Sequence, residues 1–278
     1  MANKKKIVLD KSIQLLNDMG AENVHFSSRP RGYVSAYVKG TGVPLFEKKP
    51  NKVIIDGSMF TAMKFFNMLP VVNLKDYNTA IGLENIDPLT PAEQLNTTVA
   101  LFCMGIDGCG PEQSQVYETD YTKWISPENL VPFRFQLADH DLSDADREIY
   151  YGRKEIPALN RIAYYFKAFD TTPVMYAQYV DGTPIDENIY ISENTTEVEV
   201  YVEMKMSITK EDCRDFFIAT SGINDAKVNS ISLLVAYPKT YNGKTYYQGI
   251  RPITRYNFSS EPLSDLTKGI DIVYDLYF

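Results

Sequence analysis

The run Glu197–Met206, EVEVYVEMKM, alternates without a break: Val198, Val200, Val202, Met204 and Met206 fall on one side, Glu197, Glu199, Glu203 and Lys205 on the other. Successive side chains of a strand point to opposite faces, so the run is a strand with one face buried and one in water. Antiparallel sheets accept that asymmetry, whereas parallel sheets are covered on both faces. The last residues, GIDIVYDLYF, repeat the pattern, with Ile270, Ile272, Tyr274, Leu276 and Phe278 set against Asp271 and Asp275. Asn229–Tyr237 is a further strand with Ile231, Leu233, Val235 and Tyr237 on one face. After it, Tyr241-Asn242-Gly243-Lys244 demands a type I′ hairpin turn, and its second limb carries Tyr246 and Tyr247 toward Pro252. The expected fold class is α+β, built on a mainly antiparallel sheet that is open to barrel-like closure.

Helices are expected at three places. Residues 5–19 set Val8, Leu15, Leu16 and Met19 on one stripe, and Gly20 stops them. A helix over 58–69 takes Ser58 as its N-cap and Pro70 as its terminator. It is apolar nearly all round, with only Thr61, Lys64 and Asn67 on a narrow wet stripe. Such a helix is covered on several sides, either as a plain core helix or by a neighbouring subunit, which makes Phe65 and Phe66 candidate subunit contacts. The third helix covers 210–221: Thr209 and Asp212 form a capping-box variant, Cys213, Phe216 and Phe217 face the core, and Gly222 ends it.

Between these elements, residues 22–46 alternate loosely and suit a pair of strands. Lys52–Ile55 is a short apolar run ending at an Asp56-Gly57 turn, and 70–96 is an irregular connection holding Pro70, Pro88 and Pro91. Val99–Met104 is apolar on both faces, as a central strand is. The text divides near residue 97 into an N-terminal α/β segment, 1–96, and a β-rich region, 97–278, whether as two units or one continuous domain.

The chain's 278 residues carry a formal charge of −8, unevenly placed. Residues 1–56 hold ten Lys/Arg against five Asp/Glu, whereas 106–160 hold five against eleven. A basic head on an acidic body argues against general nucleic-acid affinity, which needs clustered positive charge, and permits head-to-body contacts between copies. No stretch approaches the ~18 apolar residues of a membrane span. The opening MANKKKIVLDKS lacks the apolar core of a secretory signal, so synthesis in a cytosol is expected. Cys103, Cys109 and Cys213 are then reduced thiols.

Candidate chemistry is sparse. Gly105, Gly108 and Gly110 follow a buried strand, but they match neither dinucleotide nor P-loop spacing, and a turn is the preferred reading. The polar loop 107–131 reads as an arm toward a neighbour anchored by Tyr121 or Trp124, with Trp124 covering its own core as the alternative. Asp139, Asp141, Asp144, Asp146 and Glu148 form an acidic string beside His140. It lacks the glycine and closing glutamate of an EF-hand, and Ser143 before the acids reads as an N-capped helix start. No metal, cofactor or catalytic residue is assigned. Twenty tyrosines, several beside polar residues in strands, favour a protein rich in interfaces.

Four segments, LVPFRFQLADHDL, AYYFKAFDTTPVMYAQYVDGTPI, VEVYVEMKMSITKEDCRDFF and VNSISLLVAYPKTYNGKTYYQGIRPITRYNF, resemble the neck proteins of contractile-tailed bacteriophages with Twort-like virions. The resemblance covers roughly residues 97–278 and implies a structural virion protein, either a collar or stopper protein or a tail terminator. Such proteins stack as rings between the portal and the tail tube and sheath, with double-stranded DNA passing through and no membrane involved. It implies self-association in rings of six or twelve copies and no enzymatic residues. On that reading the acidic string is the candidate lumen-facing surface, since negative walls let phosphates slide. Arg29, Arg31, Lys48 and Lys49 then meet an acidic neighbour head-to-tail. Two other classes stand beside it: a receptor-binding or decoration protein of the same virion, and a hydrolase using the Gly-rich loop with Asp139 and His140.

Overall fold

The computed structural model describes residues 31–69, 76–83, 88–110, 115–118, 124–179, 198–222, 226–262 and 269–278. The strands are β1 (Arg31–Val38), β2 (Pro44–Val53), β3 (Thr98–Gly105), β4 (Leu130–Val131), β5 (Arg134–Leu137), β6 (Tyr150–Ile156), β7 (Arg161–Ala168), β8 (Val174–Tyr179), β9 (Val198–Ile208), β10 (Lys227–Tyr241), β11 (Lys244–Pro252), β12 (Thr254–Pro262) and β13 (Ile270–Tyr277). The helices are α1 (Ile55–Phe66), α2 (Tyr77–Ala80), α3 (Pro91–Leu95) and α4 (Arg214–Thr220).

The main path of the sheet runs β5-β7-β3-β10-β12-β2-β1-β13-β9-β8, with β11 on β10, β4 on β3 and β6 on β7. Described strand pairs such as β13 with β9 and β10 with β3 are antiparallel, and the sheet curls into a half-barrel with few helices. This is the α+β, barrel-like architecture expected from the alternation. β1 pairs β13 and β2 pairs β12, so strands from either side of residue 97 share the sheet.

Burial follows the period of two. On β13, Ile270, Ile272, Tyr274 and Leu276 are buried, and on β9 so are Met204, Met206 and Ile208. These line the inside of the curl with Val34, Phe102, Phe133, Tyr164 and Leu233. β3 and β10 are covered on both faces: Phe102, Met104, Ile231 and Leu233 point into the curl, while Leu101, Cys103, Leu234 and Ala236 join Tyr77, Ile125 and Phe166 on the other side. The turn after β10 places Asn242 and Gly243 at φ 49° and 74°, as the type I′ signature requires.

Several local expectations are corrected. α1 begins three residues before Ser58, and Asp56-Gly57 lies in its first turn. The Ile54 N–H bonds the Ile253 carbonyl, which carries the chain straight from sheet into helix. Gly57 is needed there because a Cβ would stand 2.3 Å from that same carbonyl oxygen. α1 ends at Asn67, whose left-handed φ of 50° lets its N–H bond the Met63 carbonyl ahead of Pro70. Only Gly57 and Met63 of α1 are buried, so this is not a core helix.

α4 starts at Arg214 because Cys213 is left-handed at φ 63°; of the capping-box variant only the bond from the Thr209 N–H to the Asp212 carboxylate forms, and Gly222 stops the helix as read, its N–H on the Phe217 carbonyl. The start expected at Ser143 is only a 3-10 turn at Asp146–Glu148. The connection 70–96 contains α2 and α3, the latter opened by a Thr90/Glu93 capping box. The strand pair placed at 22–46 is β1 with β2, which reaches Val53. The helix read over 5–19 lies outside the described residues.

Candidate functional site

Among the described residues, two unlike surfaces stand exposed. The first is the end of α1, where Phe65 is 79% exposed and Phe66 72%, with Met68 and Leu69 exposed beside them. Gly57 and Met63 of this helix are buried and Phe60 packs on the core, whereas Ile55, Phe65 and Phe66 are exposed among the described residues. Contiguous exposed apolar surface of this kind marks an interaction site more often than isolated leucines do.

The second is β8, where the main path of the sheet ends. Its sequence, VMYAQY, has no charge and no proline, and it pairs β9 without a bulge from Val174 to Tyr179. Val174, Met175 and Tyr176 are exposed. Proteins guard sheet edges with charges, prolines, bulges or cover, and among the described residues β8 has none of these. The opposite end is guarded: β5 is four residues long, and α4 packs on it through Phe216 against Phe135. On the outer face, a row of tyrosines runs to the open edge. Tyr33 meets Tyr277 edge-on at 5.4 Å, Tyr277 stacks on Tyr201 at 4.9 Å, and Tyr201 stacks on Tyr176 at 5.3 Å.

The acidic string is largely answered by cations of the same protomer. Asp141 accepts from Arg147, Arg153, the Tyr164 hydroxyl and the Leu142 N–H. Burial alone would raise its carboxyl, yet the bonds from Tyr164, Leu142 and Arg153 hold it below the usual range. Asp144 pairs with Lys244 at 2.6 Å, Asp146 accepts from Ser143, and Asp139 sits on His140 at 2.8 Å. Glu148 is exposed. Of the arginines read as subunit contacts, Arg31 pairs with Glu199 of the same protomer at 2.9 Å, and Arg29 lies outside the described residues, as does Tyr121. Trp124 stacks on Tyr77 at 4.5 Å and packs on the outer core, the self-covering arrangement of the two considered.

The Gly-rich loop is held inward as a turn. Asp107 pairs with Arg255 at 2.9 Å, the Gly108 N–H bonds the Asn229 side chain, and the Gly110 N–H bonds the Gln115 carbonyl. Among the described residues, the partner of His140 is Asp139. Among the described residues, no group of three or more His, Cys, Asp or Glu side chains is placed to hold a metal ion.

A buried charge cluster carries no local sequence signal. Asp212, fully buried, accepts from Lys167 Nζ at 2.8 Å, the Tyr150 hydroxyl at 2.8 Å and the Thr209 N–H at 2.9 Å, with Arg134 Nε at 3.6 Å. Lys167 Nζ also donates to the Ser207 carbonyl of β9 at 2.8 Å. Burial works against the Arg134 charge, but Asp212 and Tyr150 outweigh it and its pKa lies above the ordinary value. The cluster ties β6 and β7 to the end of β9 and the turn that follows it.

No helix among the described residues is long and apolar enough to cross a membrane. No protein-family model, curated protein or solved structure matches the chain.

Proposed function

We propose that this chain is a structural virion protein of a contractile-tailed bacteriophage, assembling head-to-tail into a ring of the neck that joins head to tail and lets DNA pass. The observation that carries the reading is the presence of two unlike surfaces exposed among the described residues, the apolar end of α1 and the uncharged, bulge-free β8 edge. A single self-complementary patch gives a closed pair, whereas two different surfaces that meet give a ring once the rotation closes. In this reading the α1 end of one copy covers the β8 edge of the next, as helices cover edges within single proteins. The resemblance of the four C-terminal segments supplies the virion context, with portal and tail tube or sheath proteins as partners. The exposed acids Asp139, Asp144 and Glu148 are the remaining candidates for the wall facing DNA.

The test is native mass with negative-stain imaging of the wild-type protein at high concentration, alone and with portal or tail components. Rings of six or twelve copies are expected. Met175→Lys and the pair Phe65→Asp/Phe66→Asp should each abolish rings and leave monomers, and mixing the two variants should restore a dimer through the one intact contact. A wild-type protein that stays monomeric even with those components, or variants that still form rings, overturns the reading.

A further inference from the structure

Between α2, α3 and β11 lies a cavity of about 210 Å³, lined among the described residues by Asp76, Asn78, Thr79, Leu89, Gln94, Gly249 and Arg251 with their neighbours. It is large enough for a small organic ion with several waters, each of which takes roughly 30 Å³. Its polar walls are mostly satisfied from within. Asp76 holds the Thr79 N–H at 2.8 Å and the Thr79 hydroxyl at 3.2 Å, the Asn78 amide bridges the Tyr247 carbonyl and the Ile250 N–H, and Gln94 donates to the Leu89 carbonyl. Gly249, at φ 61°, allows Leu89 to close over the floor, where a Cβ would stand 2.5 Å from Leu89 Cδ1.

Arg251 is the exception. Its Nε is buried without a hydrogen-bond partner, and among the described residues its guanidinium closes no ion pair. Burial depresses its pKa, with Asp76 and Asp56 only partly offsetting the loss from a distance. A buried donor left unpaired costs free energy, and native structures rarely keep one without a reason. A guanidinium presents parallel N–H groups that match a carboxylate in a two-point fork. The two nearby aspartates weigh more against a doubly charged ligand than a singly charged one, and the planar fork of Arg251 suits a carboxylate.

We infer that this cavity is a carboxylate-binding site in which Arg251 grips the ligand through its forked N–H groups. The carboxylate is either that of a free small acid or one borne by a partner protein. The site is independent of the ring reading, since neither α1's exposed end nor β8 lines it.

The test uses the full-length protein at constant ionic strength and follows the melting temperature on titration with N-acetylglycine, its neutral analogue N-acetylglycinamide, sodium phosphate and sodium chloride. A saturable rise with N-acetylglycine alone is expected. Arg251→Lys keeps the charge and loses the fork, and its half-saturating concentration should rise at least fivefold. A peptide ending in a free carboxylate that binds tenfold more tightly than N-acetylglycine assigns the ligand to a protein partner; equal binding assigns it to a free acid. Equal responses to acid and amide, a response to phosphate alone, or an unchanged midpoint in Arg251→Lys overturns the inference. If Arg251→Lys fails to fold, the acid-against-amide comparison on the wild type still decides.

Discussion

Replacing Asp212 by alanine removes one carboxylate and strands three donors at once: the Lys167 ammonium, the Tyr150 hydroxyl and the Thr209 N–H, bonded at 2.8, 2.8 and 2.9 Å. Lys167 is 4% exposed at its side chain and Asp212 is fully buried, so water cannot replace the lost partner without opening the curl. Breaking a buried pair from one side costs about 3–5 kcal/mol, and each orphaned polar donor about 1–3 kcal/mol taken alone. These overlap, because the Lys167 ammonium keeps its bond to the Ser207 carbonyl. We expect a loss of about 4 kcal/mol, which for a chain of this length lowers the melting temperature by roughly 7 °C. Urea unfolding followed by far-UV circular dichroism reads the loss directly. The double variant Asp212→Leu/Lys167→Met removes both charges and should recover at least half of it, since an apolar replacement of a whole pair is often neutral. A loss under about 1 kcal/mol in Asp212→Ala, or a double variant as damaged as the sum of the singles, refutes the role given to the cluster.

Asp275 lies directly across from Glu203, and burial, with Glu203 adding to it, pushes its carboxyl up to about 6 from the ordinary 3.8. The folded state then holds a proton that the unfolded chain releases, so stability falls as pH rises from about 4 to 6 and the cost is fully present above that range. Asp275→Asn should raise the melting temperature at pH 7 and leave it unchanged at pH 3.5; a larger gain at the acid end would contradict this. Gly243 sits at φ 74°, so Gly243→Val should cost about 1–2 kcal/mol in urea unfolding, whereas a neutral result would deny the type I′ turn. Cys103, Cys109 and Cys213 are buried thiols outside any disulfide, and burial raises the Cys103 and Cys213 thiols. A thiol-specific dye should therefore label none of them in native protein and all three in urea.

What could be read from the chain is what short-range periodicity encodes. β9, β13, β10 and the Asn242-Gly243 turn were legible because two-residue alternation and the residue types of a tight turn are local properties, set by which side chains must leave water. The doubly apolar text of Val99–Met104 likewise placed β3 in the interior of the sheet. The start of α1 is not legible locally, because a contact with Ile253, about two hundred positions away, decides where strand becomes helix. The acidic string gave its composition but not its partners, since Lys244 lies 100 residues from Asp144. Lys167 and Asp212, 45 residues apart, read one at a time as a surface charge and a helix-capping acid, and no local pattern pairs them. By itself the sequence determined an antiparallel sheet with one polar face. Tertiary structure alone decided how that sheet curls, which buried charges meet, and that the end of α1 and the β8 strand are exposed among the described residues. Those outcomes depend on distances between residues remote along the chain, and local side-chain preference carries no information about them.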